Sequence, residues 1–122
     1  MYKIKIISNF SAAHSLRGYK GKCESLHGHN WKVEVTVYSE KLNSQGMAID
    51  FHELKKIVNQ VLEELDHKHL NELGYFAKVN PSSEEIARYI FLKLKELVAV
   101  RECRLGEVLV WETESSSAGY SE

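Results

Sequence analysis

Hydrophobic and polar residues alternate most regularly between Trp31 and Tyr38, where valines occupy positions 33, 35 and 37 and polar residues lie between them. This period of two predicts an antiparallel strand with one buried face. The isoleucine-rich segment Tyr2 to Phe10 predicts an earlier strand. Glu107 to Thr113 predicts a later one, with Glu112 on the same side as Val108 and Val110. The residues between the first two strands, 11–30, are predicted to be a long irregular segment of the functional kind.

Two segments carry apolar residues at helical spacing. The first begins at Asp50, with Glu53 in the position of a capping box, and is predicted to run to about Leu65. Its apolar positions are Phe51, Leu54, Ile57, Val58, Val61, Leu62 and Leu65. The second begins after Ser82, a candidate N-cap with Glu85 at the third position, and runs to about Val100. The order β-β-α-α-β, with a serine-rich end that allows one more short strand, predicts an antiparallel α+β sheet with helices on one face. An uncovered sheet edge would favour assembly with other subunits.

Composition narrows the class of protein. A chain of 122 residues fits one domain, 1–122, and its 43% hydrophobic residues suffice for a core. A net charge of −1 argues against a dedicated nucleic-acid binder. No apolar run approaches the roughly 20 residues that span a bilayer, and the first residues do not resemble a secretory signal. We therefore expect a cytoplasmic protein without membrane or nucleic-acid partners, in which Cys23 and Cys103 do not form a disulfide.

Three histidines and a cysteine form the main candidate site. His27 and His29 flank Gly28, and residues two apart in an extended chain share one face about 7 Å apart. If the first two strands pair, His14 comes level with His27. Three imidazoles are a zinc ligand set that leaves one coordination position open. Cys23 then has two interpretations: the fourth ligand of a closed structural site, or a base or nucleophile beside an open one.

Two further carboxylates are candidates for chemistry. Asp66 precedes His67, and such a pair can relay a proton, although a polar helix end explains the same residues. Glu112 lies on a mostly apolar strand. If it points inward it needs a partner, such as a bidentate donor edge, and otherwise it is an exposed residue at a strand end.

A basic, glycine-bearing loop beside Cys23 contains Arg17, Lys20 and Lys22. These side chains either hold a phosphorylated tail or are solvated. The chain contains no G-x-G-x-x-G or Walker A pattern, which argues against a tightly bound nucleotide cofactor.

Taken together, these residues resemble the 6-pyruvoyltetrahydropterin synthase / 6-carboxytetrahydropterin synthase family, and the resemblance covers nearly the whole chain. No single motif is specific, but the combination is. It consists of Phe10-Ser11-Ala12-Ala13-His14, Cys23-x₃-His27-Gly28-His29-Asn30, Ile49-Asp50-Phe51, Leu65-Asp66-His67-x-x-Leu70-Asn71, Asn80-Pro81-Ser82-Ser83-Glu84 and Trp111-Glu112-Thr113.

The resemblance implies a tunnelling fold, in which a four-stranded antiparallel sheet with two helices joins other subunits in a barrel, usually a hexamer built as a dimer of trimers. It implies a zinc ion held by His14, His27 and His29. It also implies that Cys23 is the proton-transfer base.

The remaining site residues follow from the same resemblance. Asp66 and His67 would relay the proton of the base. Glu112 would anchor the pterin ring through its amino and ring N–H groups, and Ser82 and Ser83 would add pterin contacts.

The implied activity is zinc-dependent conversion of 7,8-dihydroneopterin triphosphate. Short members with Cys-x₃-His-Gly-His resemble those that make 6-carboxytetrahydropterin for deazapurine (queuosine) biosynthesis, releasing acetaldehyde and triphosphate. A 6-pyruvoyltetrahydropterin product is an alternative. Glu24, three residues before His27, matches a catalytic glutamate of related proteins that make 6-hydroxymethyl-7,8-dihydropterin for folate. Dual activity is therefore a further alternative. Otherwise Glu24 is a solvated loop residue. The alternative outside enzymology is a zinc-stabilised binding module.

Overall fold

A five-stranded sheet carries two helices on one face in the computed structural model, which describes residues 1–19 and 25–122. The strands are β1 (Tyr2–His14), β2 (His27–Ser39), β3 (Lys68–His69), β4 (Arg104–Thr113) and β5 (Ser116–Tyr120). The helices are α1 (Phe51–Leu62) and α2 (Ser83–Ala99), and two short 3₁₀ turns, Leu70–Glu72 and Gly74–Ala77, lie between them. No helix in these two ranges has the length and apolarity to span a bilayer.

The sheet order is β3-β1-β2-β4-β5, and the pairs β1–β2, β2–β4 and β4–β5 are antiparallel. These four strands confirm the predicted α+β sheet. The expectation of four strands is wrong by one, because β3 pairs with β1 in parallel through the two residue pairs Ala12↔Lys68 and Ala13↔His69. A pairing this short is decided by tertiary position and has no hydrophobic alternation that a sequence pattern could reveal.

Both long strands extend into the segment that was predicted to be irregular. The pairing of β1 with β2 continues beyond Phe10↔Trp31 for four more residue pairs and ends at His14↔His27. The prediction of an irregular 11–30 is therefore wrong at both ends, although the expectation that His14 comes level with His27 is confirmed. All three candidate histidines lie on regular strands.

The helix-covered face of the sheet forms the core together with both helices. Trp31, which is fully buried, stacks on Phe10 with ring centroids 5.9 Å apart. The ring of His14 lies edge-on to Trp31 at 4.9 Å. The three histidines therefore lie at the end of the hydrophobic core, where His14 and His29 pack against the ring of Trp31.

A bulge in β4 determines which face of the sheet the side chains of its C-terminal half point to. Leu105 and Val108 are both buried although they are three residues apart, and the β2–β4 register shifts at this point. Gly106 lies between them, where a Cβ atom would approach Tyr38 Cε2 to 2.3 Å. The extra residue keeps Val108, Val110 and the following Glu112 on the helix-covered face.

Helix α1 begins where the sequence predicts but is shorter. The Asp50 side chain caps it by accepting a hydrogen bond from the His52 N–H at 2.7 Å. Glu53 pairs with Arg101 at 2.6 Å, which is a different partner from that of a capping box. Phe51 is 61% exposed, so its assignment to the apolar face is wrong, and the helix ends at Leu62.

Helix α2 confirms its predicted start. Its N-cap is Ser82, whose hydroxyl accepts a hydrogen bond from the Glu85 N–H at 3.2 Å. This start brings Ser83 to the end of β4 that carries Glu112.

Candidate metal centre

The end of the β1–β2 ladder, from Ala12↔His29 to His14↔His27, brings three imidazole rings together. His14, His27 and His29 all point to the helix-covered face, and the Nε2 atoms of His14 and His27 lie 3.1 Å apart. The ring of His29 lies edge-on to the other two, with centroids 5.4 Å from His14 and 4.8 Å from His27. The predicted convergence of these three residues is therefore present.

Glu112 from β4 completes the cluster. Its Oε1 atom lies 2.8 Å from His29 Nε2, 3.7 Å from His14 Nε2 and 3.9 Å from His27 Nε2. The four potential ligand atoms all lie within 4.8 Å of one another. Alternation along β4 put Glu112 on the side of Val108 and Val110 and left its inward or exposed direction open; the structure shows the inward one, and its closeness to the histidines follows from the bulge and the strand register.

Backbone carbonyls fix the protonation of two of the rings. The Nδ1 atom of His14 lies 2.6 Å from the carbonyl oxygen of Pro81, and that of His27 lies 2.7 Å from the carbonyl oxygen of Ser25. A carbonyl oxygen only accepts hydrogen bonds, so each Nδ1 is the donor and carries the proton. In the neutral rings both Nε2 atoms then present lone pairs to each other. No sequence signal identifies Pro81 and Ser25 for this task, because it is performed by their backbone.

Burial reinforces the neutral state of His14. Desolvation lowers the pKa of His14 from its ordinary value, and the neighbouring His27 and His29 act in the same direction. The hydrogen bond to Pro81 and the charge of Glu112 oppose this shift without cancelling it. Neutral imidazole, the form that binds metal ions, is therefore favoured at neutral pH.

The donor set fits a zinc-type cation. Among the described residues the buried Nε2 atom of His29 has no hydrogen-bond partner, although Glu112 Oε1 lies 2.8 Å from it. Converging lone pairs and a carboxylate are a donor set that could hold a cation between them. Zinc–nitrogen bonds of 2.0–2.1 Å at tetrahedral angles separate ligand atoms by roughly 3.3 Å. The distances measured here, from 2.8 to 3.9 Å, bracket that separation.

The two candidate serines have different surroundings. The Ser83 hydroxyl donates to Glu112 Oε2 at 3.3 Å, so it contacts the second oxygen of the carboxylate whose first oxygen faces the histidines. The hydroxyl of Ser82 caps α2 instead. The family resemblance implies pterin contacts for both residues, and the structure brings Ser83 directly to the cluster.

Comparison with known proteins agrees with this geometry. Residues 3–122 match the model of the family described as 6-pyruvoyl tetrahydropterin synthase. The chain belongs to this family.

Individual members of the 6-pyruvoyl tetrahydropterin synthase family carry different activity names. A 6-carboxy-5,6,7,8-tetrahydropterin synthase of Synechocystis sp. is 40% identical, over 92% of this chain and 87% of the relative. A dihydroneopterin monophosphate aldolase of Pyrococcus furiosus is 35% identical, over 90% of each protein. The structure of Caenorhabditis elegans 6-pyruvoyl tetrahydropterin synthase superposes with a TM-score of 0.89 at 30% identity, over 99% of this chain and 95% of that one. The chain is thus similar to pterin-converting enzymes that differ in their named reactions.

In this family member Asp66 and His67 lie apart from the metal-type cluster, which in the described part of the chain contains only the three histidines and Glu112. Asp66 Oδ1 accepts a hydrogen bond from the Ser11 N–H at 2.9 Å, and the His67 N–H donates to the Ser11 carbonyl at 2.6 Å. His67 has a left-handed backbone (φ 57°) and an 82% exposed side chain, whose Nδ1 lies 3.0 Å from Asp66 Oδ2. The hydrogen bond from Ser11, and then His67, lowers the pKa of Asp66. The pair is therefore an outward-facing element at the β1 edge.

In the basic loop, Arg17 makes hydrogen bonds within the fold. The guanidinium of Arg17 donates to the carbonyls of Phe76 and Val79, so this side chain ties the loop after β1 to the chain before α2. Lys20 and Lys22, the other two candidates for holding a phosphorylated tail, lie outside the described residues. The same is true of the two catalytic candidates Cys23 and Glu24.

Proposed function

We propose that the chain is a zinc-dependent 6-carboxytetrahydropterin synthase of the cytoplasm. It converts 7,8-dihydroneopterin triphosphate and water to 6-carboxy-5,6,7,8-tetrahydropterin, acetaldehyde and triphosphate, as a step toward deazapurines such as queuosine. The observation that carries the proposal is the convergence of three imidazole nitrogens and one carboxylate oxygen on the end of the core. Its relatives with 6-carboxy-tetrahydropterin synthase names support the choice of product.

His14, His27 and His29 hold the ion in this proposal. Zinc supplies a Lewis acid that lowers the pKa of a substrate hydroxyl. The two backbone-bonded Nδ1 atoms keep the rings in the tautomer that directs Nε2 at the ion.

The other residues handle the substrate and its protons. Glu112 accepts hydrogen bonds from the amino and ring N–H groups of the pterin, and Ser82 and Ser83 add contacts beside it. Cys23 moves protons between ring and side-chain carbons, with Asp66 and His67 as its relay. The pterin ring is reduced while its side chain is oxidised, so the reaction is an internal redox that requires no nicotinamide.

We further propose a hexamer, a dimer of trimers, in which the sheets of several subunits form a barrel. The exposed edges of the sheet at β3 and β5 support this assembly. Light scattering of the purified protein should give six times the chain mass of 14.0 kDa. A monomer at micromolar concentration would contradict it.

A product assay tests the activity. Zinc-loaded protein incubated with 7,8-dihydroneopterin triphosphate should release acetaldehyde and triphosphate, and mass spectrometry should detect the 6-carboxy product. Cys23→Ala should abolish turnover while zinc stays bound. His29→Ala should lose zinc, and His52→Ala, a substitution of an exposed histidine on α1, should retain both zinc and turnover. Turnover that persists in Cys23→Ala would refute the base assignment.

The same assay separates two alternative products. A 6-pyruvoyltetrahydropterin product is supported by the C. elegans enzyme of that name. Formation of 6-hydroxymethyl-7,8-dihydropterin, with Glu24 as a catalytic group, is supported by the P. furiosus relative named as an aldolase. A hydroxymethyl product that appears with the wild type and disappears with Glu24→Ala would establish dual activity.

A zinc-stabilised binding module is the non-enzymatic alternative. In that case Cys23 is a ligand, and Cys23→Ala loses metal and fold together. Circular dichroism melts with and without a chelator distinguish the two, since an enzyme with a histidine-held ion keeps much of its fold after chelation.

A further inference from the structure

The fourth corner of the metal-type cluster, which the sequence predicts to be open, contains an oxygen of Glu112. We propose that Glu112 closes the metal site of the substrate-free protein as a fourth ligand, and that the pterin ring opens the site by taking this carboxylate for itself. The inference rests on the proposed function, because it gives Glu112 two successive partners at the same site.

The distances support a fourth ligand. Glu112 Oε1 lies 2.8, 3.7 and 3.9 Å from the three Nε2 atoms, and the His14–His27 separation is 3.1 Å. Ligand atoms around tetrahedral zinc are spaced by roughly 3.3 Å. The carboxylate oxygen therefore lies at ligand-like spacing from all three Nε2 atoms, similar to the 3.1 Å that separates His14 from His27.

The carboxylate also has a second anchor that sets its position. Its Oε2 atom accepts a hydrogen bond from the Ser83 hydroxyl at 3.3 Å, and the Glu112 side chain is only 30% exposed. Each oxygen thus has a different neighbour, and the carboxylate bridges the imidazole cluster and the start of α2.

Recognition of a pterin ring competes with this arrangement. The amino and adjacent ring N–H groups form a two-donor edge that engages both oxygens of one carboxylate. An Oε1 that gives a lone pair to the ion is the weaker hydrogen-bond acceptor, so the ring edge and the ion compete for this oxygen. Binding of the ring therefore withdraws Oε1 from the cluster and frees one coordination position, so the position opens only when a substrate ring is present.

This competition predicts a measurable coupling between two ligands. A pterin ring and a small ligand of the ion should each strengthen the binding of the other, because each favours the opened site, and such couplings are typically about 5- to 150-fold. The probes are pterin itself, which has no side-chain hydroxyls, and azide. Cobalt(II) in place of zinc provides a visible absorption spectrum that reports azide binding without any turnover.

In the wild-type cobalt protein, azide should bind weakly alone and at least about 5-fold more tightly with saturating pterin. Glu112→Gln should bind azide tightly without pterin. Glu112→Asp keeps the charge but has a shorter reach, and it should also bind azide more tightly than wild type, which separates ligation from electrostatic repulsion. Glu114→Gln, in the exposed turn after β4, removes an equal charge two residues away and should behave as wild type.

Equal azide affinity in wild type and both Glu112 variants, with no effect of pterin, would overturn the inference. If the product assay succeeds at the same time, the proposed function survives without it. Failure of the wild-type protein to bind cobalt or pterin at all would refute the inference and the proposed function together.

Discussion

At the scale of single residues, the backbone determines what the histidines can do. The carbonyls of Pro81 and Ser25 hold the Nδ1 protons of His14 and His27, and the Nε2 lone pairs are directed into one small volume as a result. The same residue types at the same spacing, without these carbonyls, could rotate or exchange tautomers. Ligand preorganisation here is a property of main-chain positions rather than of additional side chains.

Asp66 provides a prediction about pH. The Ser11 N–H and His67 hold its pKa below the ordinary value, so its contribution to stability is fully present above the unfolded-state pKa of about 3.9 and is lost as pH falls through the lower folded-state pKa. Asp66→Asn keeps an acceptor for Ser11 but removes the titration. The difference in unfolding free energy between wild type and Asp66→Asn should therefore be larger at about pH 5 than below about pH 4.

Chemical denaturation at several pH values measures this difference, with Glu114→Gln as the control for an exposed carboxylate. If this difference in unfolding free energy were the same at about pH 5 and below about pH 4, the pKa of Asp66 would not be lowered in the folded protein.

Sequence spacing could predict the convergence of His14, His27 and His29, because i, i+2 positions and one strand pairing suffice for it. It could also predict that Glu112 shares a side with Val108 and Val110, but not whether this residue at the strand end is covered. The distance from Glu112 to the imidazoles could not be predicted, because it depends on the bulge at Gly106 and on the register of β2 against β4.

At the scale of elements, the two helices begin at their predicted capping residues, and β1 and β2 extend beyond the segments that their hydrophobic pattern predicts. The predicted starts at Asp50 and Ser82 are both observed. Segments 11–14 and 27–30 are strand despite their alanines, glycine, histidines and serine, because hydrogen bonding to a neighbouring strand overrides weak local propensity. The functional end of the β1–β2 pair is thus the part that local patterning describes least well.

The cap of α2 gives a prediction at this scale. Ser82→Ala removes the acceptor for the Glu85 N–H and should lower the unfolding free energy by about 1 kcal/mol. Ser44→Ala, in an exposed turn, is the matched control and should change stability by less than about 0.5 kcal/mol. Urea denaturation at one fixed protein concentration measures both. Equal effects of the two substitutions would show that the hydroxyl of Ser82 has no capping role.

At the scale of the whole molecule, the antiparallel sheet was predictable and the parallel neighbour of β1 was not. Four strands, β1, β2, β4 and β5, form the antiparallel part of the sheet, as the element order β-β-α-α-β with one more short strand predicts. The parallel strand β3 exists because the chain after α1 returns along β1, where the His67 N–H bonds to Ser11. Such a return is a property of the assembled core.

The hydrogen bond between His14 and the Pro81 carbonyl joins positions 67 residues apart along the chain. An ion held by the imidazoles and Glu112 would connect β1, β2 and β4, and through Pro81 also the start of α2. It would act as a cross-link between these elements. Chelating zinc should therefore accelerate hydrogen–deuterium exchange at the strand ends near the site and in the first turn of α2, with α1 as the internal reference. Uniform acceleration across the chain, or none, would contradict this. An ion that serves the chemistry would then also stabilise the tertiary structure at this end of the sheet.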